Sequence, residues 1–164
     1  MVEIRKIRPE DTSQVKALIH RIMDEEFAGA KHVYTLQDIE NPGQYYGGAK
    51  DVFLVAEKDG QIVGTVAIKE DAPGTALLRR VFVKKEYRGK GYGEKLLAKA
   101  IEFCFEREYQ NVVFRGVDRM QSALRLCLKN GFEQQNISIA DDMKLFVLTR
   151  RLRRDRVHAA AANA

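Results

Sequence analysis

Three glycines fall within five positions in the segment Arg88-Gly89-Lys90-Gly91-Tyr92-Gly93. The apolar run Val81-Phe82-Val83 precedes them, and a stretch with helical periodicity follows. Glycine lets backbone approach a ligand closely, and the free amides at a helix N-terminus carry partial positive charge, which suits a phosphate. Arg88 and Lys90, with Lys84 and Lys85 just upstream, add formal positive charge. A tight turn alone would explain one G-x-G. It does not explain three glycines between a strand, flanking cations and an amphipathic helix, so the segment is expected to hold an anion.

The two best-known glycine motifs at such a junction fit less well. A phosphate-binding P-loop ends in Gly-Lys followed by Ser or Thr, whereas here Gly93 is followed by Glu94 and Lys95. The dinucleotide fingerprint wants its third glycine where Glu94 stands, although Asp118 beyond the next apolar run imitates the acidic ribose ligand.

The elements that position this turn are legible from periodicity. Residues 2–8 give a short strand pattern closed by Pro9. Asp11, with Gln14 as capping-box partner, introduces a helix whose Val15, Leu18, Ile19, Ile22 and Met23 share one face. Residues 28–50 read as a short helix between loops, interrupted by Gly29, Asn41-Pro42-Gly43 and Gly47-Gly48. Two β-rich runs meet at Asp59-Gly60, a hairpin signal, and a third strand follows Pro73-Gly74. After the glycines, Leu96, Leu97, Ala100, Ile101, Cys104 and Phe105 keep helical spacing, and Val112-Val113-Phe114 returns to strand, which predicts a βαβ crossover. A helix over residues 121–130 stops at Gly131, and two last strands around Asp141-Asp142 close the chain. The whole reads as one α+β domain with a mixed sheet at its centre over residues 1–152. Residues 153–164 form a basic, Ala-rich tail.

The 164 residues suffice for one substantial core, and 45% hydrophobic with 31% charged residues excludes disordered and fibrous classes. Nothing approaches the roughly 18 apolar residues of a membrane helix, and charges fill the N-terminus where a signal peptide is apolar, so a cytoplasmic protein is expected. Cys104 and Cys127 lie in helical patterns without metal-ligand spacing, so both are expected to be reduced, with no metal bound. Part of the net charge of +5 sits in Arg150, Arg151, Arg153, Arg154 and Arg156. Such a cluster can contact nucleic acid or a membrane surface, but a solvated terminus is the preferred reading.

Arg88, Gly91 and Gly93, in their strand–turn–helix setting, match the Gln/Arg-x-x-Gly-x-Gly/Ala signature, and here the chain resembles the GNAT superfamily of N-acetyltransferases. Ala123-Leu124-Arg125-Leu126-Cys127-Leu128-Lys129-Asn130-Gly131-Phe132 is similar to that family's second characteristic stretch. The resemblance implies a mixed, mostly antiparallel central sheet flanked by helices. It also implies acetyl-CoA as co-substrate, gripped at Arg88, Gly89, Lys90, Gly91, Tyr92 and Gly93, with its pantetheine arm along Val81, Phe82 and Val83. The expected reaction is direct attack of a primary amine, of a small molecule or a protein, in a ternary complex.

A lysine-like amine, with a pKa of about 10.4, must lose a proton before it attacks, and the departing thiolate benefits from a donor or from positive charge. Where many relatives carry a donor Tyr this chain has Cys127, and where some carry a strand Glu it has Leu77. Met120 replaces a frequent Asn. Cys127 as substitute donor and Glu70 as water-holding base are the candidates, against core packing for Cys127 and a solvated carboxylate for Glu70. Glu57 and Asp71 share Glu70's alternatives. Tyr45 and Tyr46, with His32, are candidates for acceptor binding or for loop packing. A non-catalytic acyl-CoA sensor or interaction module is the alternative function, nucleic-acid binding ranks below both, and a homodimer stays open.

Overall fold

The computed structural model describes residues 1–28, 35–140 and 143–152. His32, the turn at Asp141-Asp142 and the tail from residue 153 lie outside them. Seven strands form one sheet: β1 (Glu3–Lys6), β2 (Val52–Lys58), β3 (Gln61–Ala72), β4 (Thr75–Val83), β5 (Asn111–Val117), β6 (Glu133–Ala140) and β7 (Met143–Arg151). Among the described residues four helices accompany them: α1 (Thr12–Glu26), α2 (Pro42–Tyr45), α3 (Tyr92–Glu106) and α4 (Gln121–Lys129). The strand order is β1-β2-β3-β4-β5-β7-β6, and every neighbouring pair is antiparallel except β4 and β5. The expected α+β class, mixed sheet and crossover through α3 are all present.

Local chemistry explains the elements. At the β2–β3 turn, Asp59 and Gly60 both take positive φ, 51° and 80°, the conformation that an Asp-Gly hairpin favours. The predicted apolar face of α1 is buried throughout. Its start differs from the expectation. The Asp11 carboxylate accepts the Arg8 amide at 2.7 Å and the Arg5 guanidinium at 2.7 and 3.0 Å, while the Gln14 side chain accepts from the Ile62 amide at 2.9 Å. Asp11 thus caps the 3-10 turn at Pro9–Asp11 and pairs with Arg5, Gln14 bonds the start of β3, and neither caps α1. Residues 28–50 hold a 3-10 turn at Gln37–Ile39 and the single turn of α2.

Every residue from Ile62 to Ile68 in β3 is buried, so both faces of the central sheet are covered. A Cβ at Gly64 would stand 2.8 Å from Leu96 Cδ1, which shows how closely α3 lies on one face; α1 covers the other. Both cysteines are free and buried. Among the described residues no helix is long and apolar enough to cross a membrane.

Strand β4 is not regular. Its register against β3 shifts between Ala67–Arg79 and Thr65–Phe82, and Arg80 in the extra position has φ of 55°. Such a bulge bends a strand, and positive φ is uncommon outside glycine, so other contacts must hold it. Thr65 Oγ1 donates to the Arg80 carbonyl at 2.6 Å. The Arg80 guanidinium grips Asp38 through Nε to Oδ2 at 2.9 Å and Nη2 to Oδ1 at 2.6 Å, and it also donates to the Thr35 carbonyl. The Tyr46 hydroxyl completes the cluster by donating to Asp38 Oδ2 at 2.6 Å.

The Arg80 and Asp38 side chains are only 4% and 2% exposed. Burial pushes the Asp38 carboxyl up, but the hydrogen bonds and charge of Arg80 outweigh it and leave the group below its usual range. Breaking such a pair from one side leaves the other charge buried and unpaired. Asp38→Ala is therefore expected to cost about 3–5 kcal/mol in urea unfolding. Because the folded-state pKa of Asp38 is lowered, its stabilisation is complete above the carboxylate's ordinary pKa of about 3.9 and is lost as pH falls through the folded value. Asp38→Asn should remove that part of the acid dependence, checked by urea midpoints measured between neutral pH and pH 2.

Candidate functional site

Strands β4 and β5 are hydrogen-bonded over only four pairs, from Thr75–Asn111 to Leu78–Phe114. β4 then runs on to Val83 and β5 to Val117 without pairing to each other. The bulge at Arg80 lies two residues past the last pair. Between the parted strands a cleft of about 510 Å³ runs from Leu77, Arg79 and Arg115 past Val81 to Gly89, Gly91 and Gly93. Val81, Phe82 and Val83 thus present a strand edge to the cleft that no neighbouring strand fills, as an extended ligand arm requires.

At the other end of the cleft the glycine turn opens α3. Gly89 and Gly91 have φ of 77° and 82°, and a Cβ at either would meet no protein atom within 4 Å. The space above them is open to a ligand. The first bond of the helix runs from the Lys95 amide to the Gly91 carbonyl at 3.1 Å, and the Arg88 amide donates to Lys85. Between them the six amides from Gly89 to Glu94 have no acceptor within the described protein. A donor set of this kind fits a pyrophosphate, the anionic centre of CoA.

The side chains of the turn divide their work differently from the sequence expectation. Arg88 does not point free charge at the cleft. Its Nη1 and Nη2 each donate to Glu26 at 2.7 Å and its Nε donates to the Val83 carbonyl at 2.9 Å, so it braces the turn against the end of α1. Lys90 is exposed, its Nζ 6.0 Å over the Tyr87 ring. Tyr92 is buried, with its hydroxyl accepting from Lys58 Nζ at 3.2 Å and its ring stacked on Tyr87 at 6.5 Å. Gly93 lets α4 come close, since a Cβ there would stand 3.4 Å from Leu126.

Among the described residues, the acid, base and acceptor candidates do not line the cleft. Cys127 is fully buried in the core, and burial pushes its thiol up to about 12, far from a proton donor's useful range. Glu70 is exposed, its amide donating to Asp51 Oδ1 at 2.9 Å. Tyr46 is the buried partner of Asp38, and burial holds its phenol above its usual range. Tyr45 is held at the surface by Lys69, whose Nζ lies 4.7 Å over its ring and donates to its carbonyl at 2.8 Å. Sequence reasoning passed over Glu26, Arg79, Arg115 and Arg119. Glu26 and the glycine turn are joined only by tertiary contact, and single arginines carry no local signature.

The comparisons agree with this geometry. The description "Acetyltransferase (GNAT) family" matches residues 16–132, most of the chain. The chain belongs to the GNAT acetyltransferase family. An uncharacterized N-acetyltransferase of Schizosaccharomyces pombe is 27% identical over 76% of this chain and 78% of its own length. Frog, rat and mouse N-acetyltransferases also match, and this chain spans about half of their length or less. Among solved structures, a GNAT-family acetyltransferase of Staphylococcus aureus Mu50 superposes with a TM-score of 0.81 at 24% identity, over 93% of this chain and all of that one. The PaiA N-acetyltransferase of Thermoplasma acidophilum, in complex with coenzyme A, superposes with a TM-score of 0.72 at 21% identity, over 93% of this chain and 99% of that one. Membership in the GNAT family makes this an acyltransferase domain that uses acetyl-CoA.

A side chain at Gly91 would intrude where the free amides converge, and left-handed backbone costs a non-glycine residue about 1–2 kcal/mol. Gly91→Leu is expected to lower acetyl-CoA affinity at least about 100-fold in calorimetric titration while urea unfolding shows only that small stability loss. Unchanged affinity in the folded variant would refute the site.

Proposed function

We propose that this domain moves the acetyl group of acetyl-CoA to a primary amine by direct attack in a ternary complex. The observation that carries the reading is the run of six unpaired amides at Gly89–Glu94, set at one end of a cleft whose β4 edge is unpaired. The amides hold the pyrophosphate. The edge at Val81–Val83 accepts the pantetheine arm as another strand would be accepted, which aims the thioester at the junction of Leu78 and Phe114. The PaiA neighbour, solved with coenzyme A, has the same fold and supports this assignment.

The amine enters from the Arg79 and Arg115 end and attacks the thioester carbonyl; the C–N bond forms and the C–S bond breaks. Holding both reactants in one cleft supplies much of the acceleration. The departing thiolate faces the first turn of α4, where Gln121, Ser122 and Ala123 line the cleft and the helix N-terminus presents free amides. That positive end takes the place of a donor Tyr. No side-chain base is assigned, so the amine that reacts is the fraction already neutral, and its proton passes to solvent on attack.

Two measurements test the reading. Thiol release corrected for hydrolysis, run across a panel of amines, should depend on the acceptor. Titration of the folded protein should show binding of acetyl-CoA and CoA but not of NAD. Binding without acceptor-dependent release would favour the sensor alternative. Cys127→Ala is expected to keep kcat within about threefold while losing stability, since the thiol acts as a core group. A kcat loss of about 100-fold or more in a well-folded variant would restore Cys127 as a proton donor.

A further inference from the structure

The charges on the walls of the acceptor end point to one class of amine, given that the domain acetylates amines as proposed above. Arg79 and Arg115 are the first residues past the last β4–β5 pair, Leu78–Phe114. Because paired residues of parallel strands share a face, the two arginines stand side by side on the opposite face, and both line the cleft. Arg119, between β5 and α4, lines it as well.

Their partners are few. Arg80, next along the strand, is neutralised by Asp38, but Arg79 and Arg119 form no ion pair among the described residues. Arg115 meets Asp71 at 3.3 Å in an exposed contact, and Asp71 does not line the cleft. Only two carboxylates line the cleft among the described residues, Glu26 and Glu94. Glu26 is held by Arg88 and Glu94 by Lys129 at 2.6 Å, both of them beside the glycine turn. Arg79 and Val83 are four residues apart along β4, roughly 13 Å, so the phosphate-binding amides and the Arg79–Arg115 pair are separate anion sites, with Arg119, four residues past Arg115, toward the amide end.

We infer that the acceptor is a small amine with a carboxylate beside its amino group, an α-amino acid or close analogue, whose carboxylate is bound by Arg79 with Arg115 alongside. A guanidinium fork matches a carboxylate in shape and charge. The same arginines repel an ammonium and favour its neutral form, which makes up for the missing side-chain base. A polyamine would bring two or more positive charges against these two.

The test is acetylation of matched amines by the full chain. L-leucine is set against isopentylamine, which lacks only the carboxylate; L-glutamate against 4-aminobutyrate, whose carboxylate is remote; and spermidine and a lysine-containing peptide serve as cationic acceptors. Leucine and glutamate should exceed their partners in kcat/KM by roughly 10- to 100-fold, and spermidine should be inert. Arg79→Gln should raise the KM for the amino acid by a similar factor and leave acetyl-CoA affinity by calorimetry unchanged. Arg79→Lys should recover part of the loss. Arg115→Gln, at an exposed position beside Arg79, should act in the same direction. Turnover of isopentylamine, spermidine or the peptide as efficient as that of the amino acids overturns the inference and leaves acetyl transfer standing, as do arginine variants with unaltered acceptor KM. Failure of every amine in protein that binds acetyl-CoA overturns the transferase reading and the inference with it.

Discussion

Past Leu78 and Phe114 the two parallel central strands stop hydrogen bonding to each other, and what this domain can do depends on that parting. An interior sheet ordinarily satisfies its backbone groups across both edges of every strand. Here an inner strand keeps an unsatisfied edge, and the gap it borders reaches from the arginine cluster to the glycine turn. The parting is built in by one extra residue. Arg80 lengthens β4 locally, bends it, and is held in left-handed backbone by Thr65 and by the buried carboxylate of Asp38.

The same residue ties the cleft to the irregular segment before β2. Arg80 holds Asp38, Asp38 holds Tyr46, and Tyr46 packs on Phe53 with ring centroids 5.4 Å apart. A buried ion pair is a poor source of net stability compared with apolar packing, and its usual merit is to specify one arrangement among several. In this domain it fixes where the 3-10 turn and α2 sit relative to the bulge.

Much of this was readable in the chain. The glycine turn, the Asp59-Gly60 hairpin, the apolar faces of α1 and α3 and the crossover between β4 and β5 follow from local rules, because each depends on residues a few positions apart. The bulge was not readable. Arg80 sits in a strand whose alternation looks continuous, and only its pairing with β3 shows the extra residue. Asp11 and Gln14 looked like a capping box and were claimed by Arg5, Arg8 and Ile62 instead. Cys127, the acid candidate, and Tyr46, a candidate for acceptor binding, were chosen by position in a motif or a loop, and tertiary packing carries both side chains into the core. The walls of the cleft come from separate elements, so Arg79 and Arg115 became neighbours only once β4 and β5 were assembled.

The six idle amides at the start of α3 also bear on how the protein survives before it meets a substrate. Helix termini fray when their donors lack partners, and this terminus anchors the helix that covers a central face of the sheet. Ligand that binds only the folded state stabilises it by mass action, by about 2.7 kcal/mol at a hundredfold excess over Kd. For a chain of ordinary marginal stability that is a substantial fraction of the total. On the proposed assignment, co-substrate binding sets the stability of the molecule as well as its turnover, with ligand-free protein opening first at the start of α3.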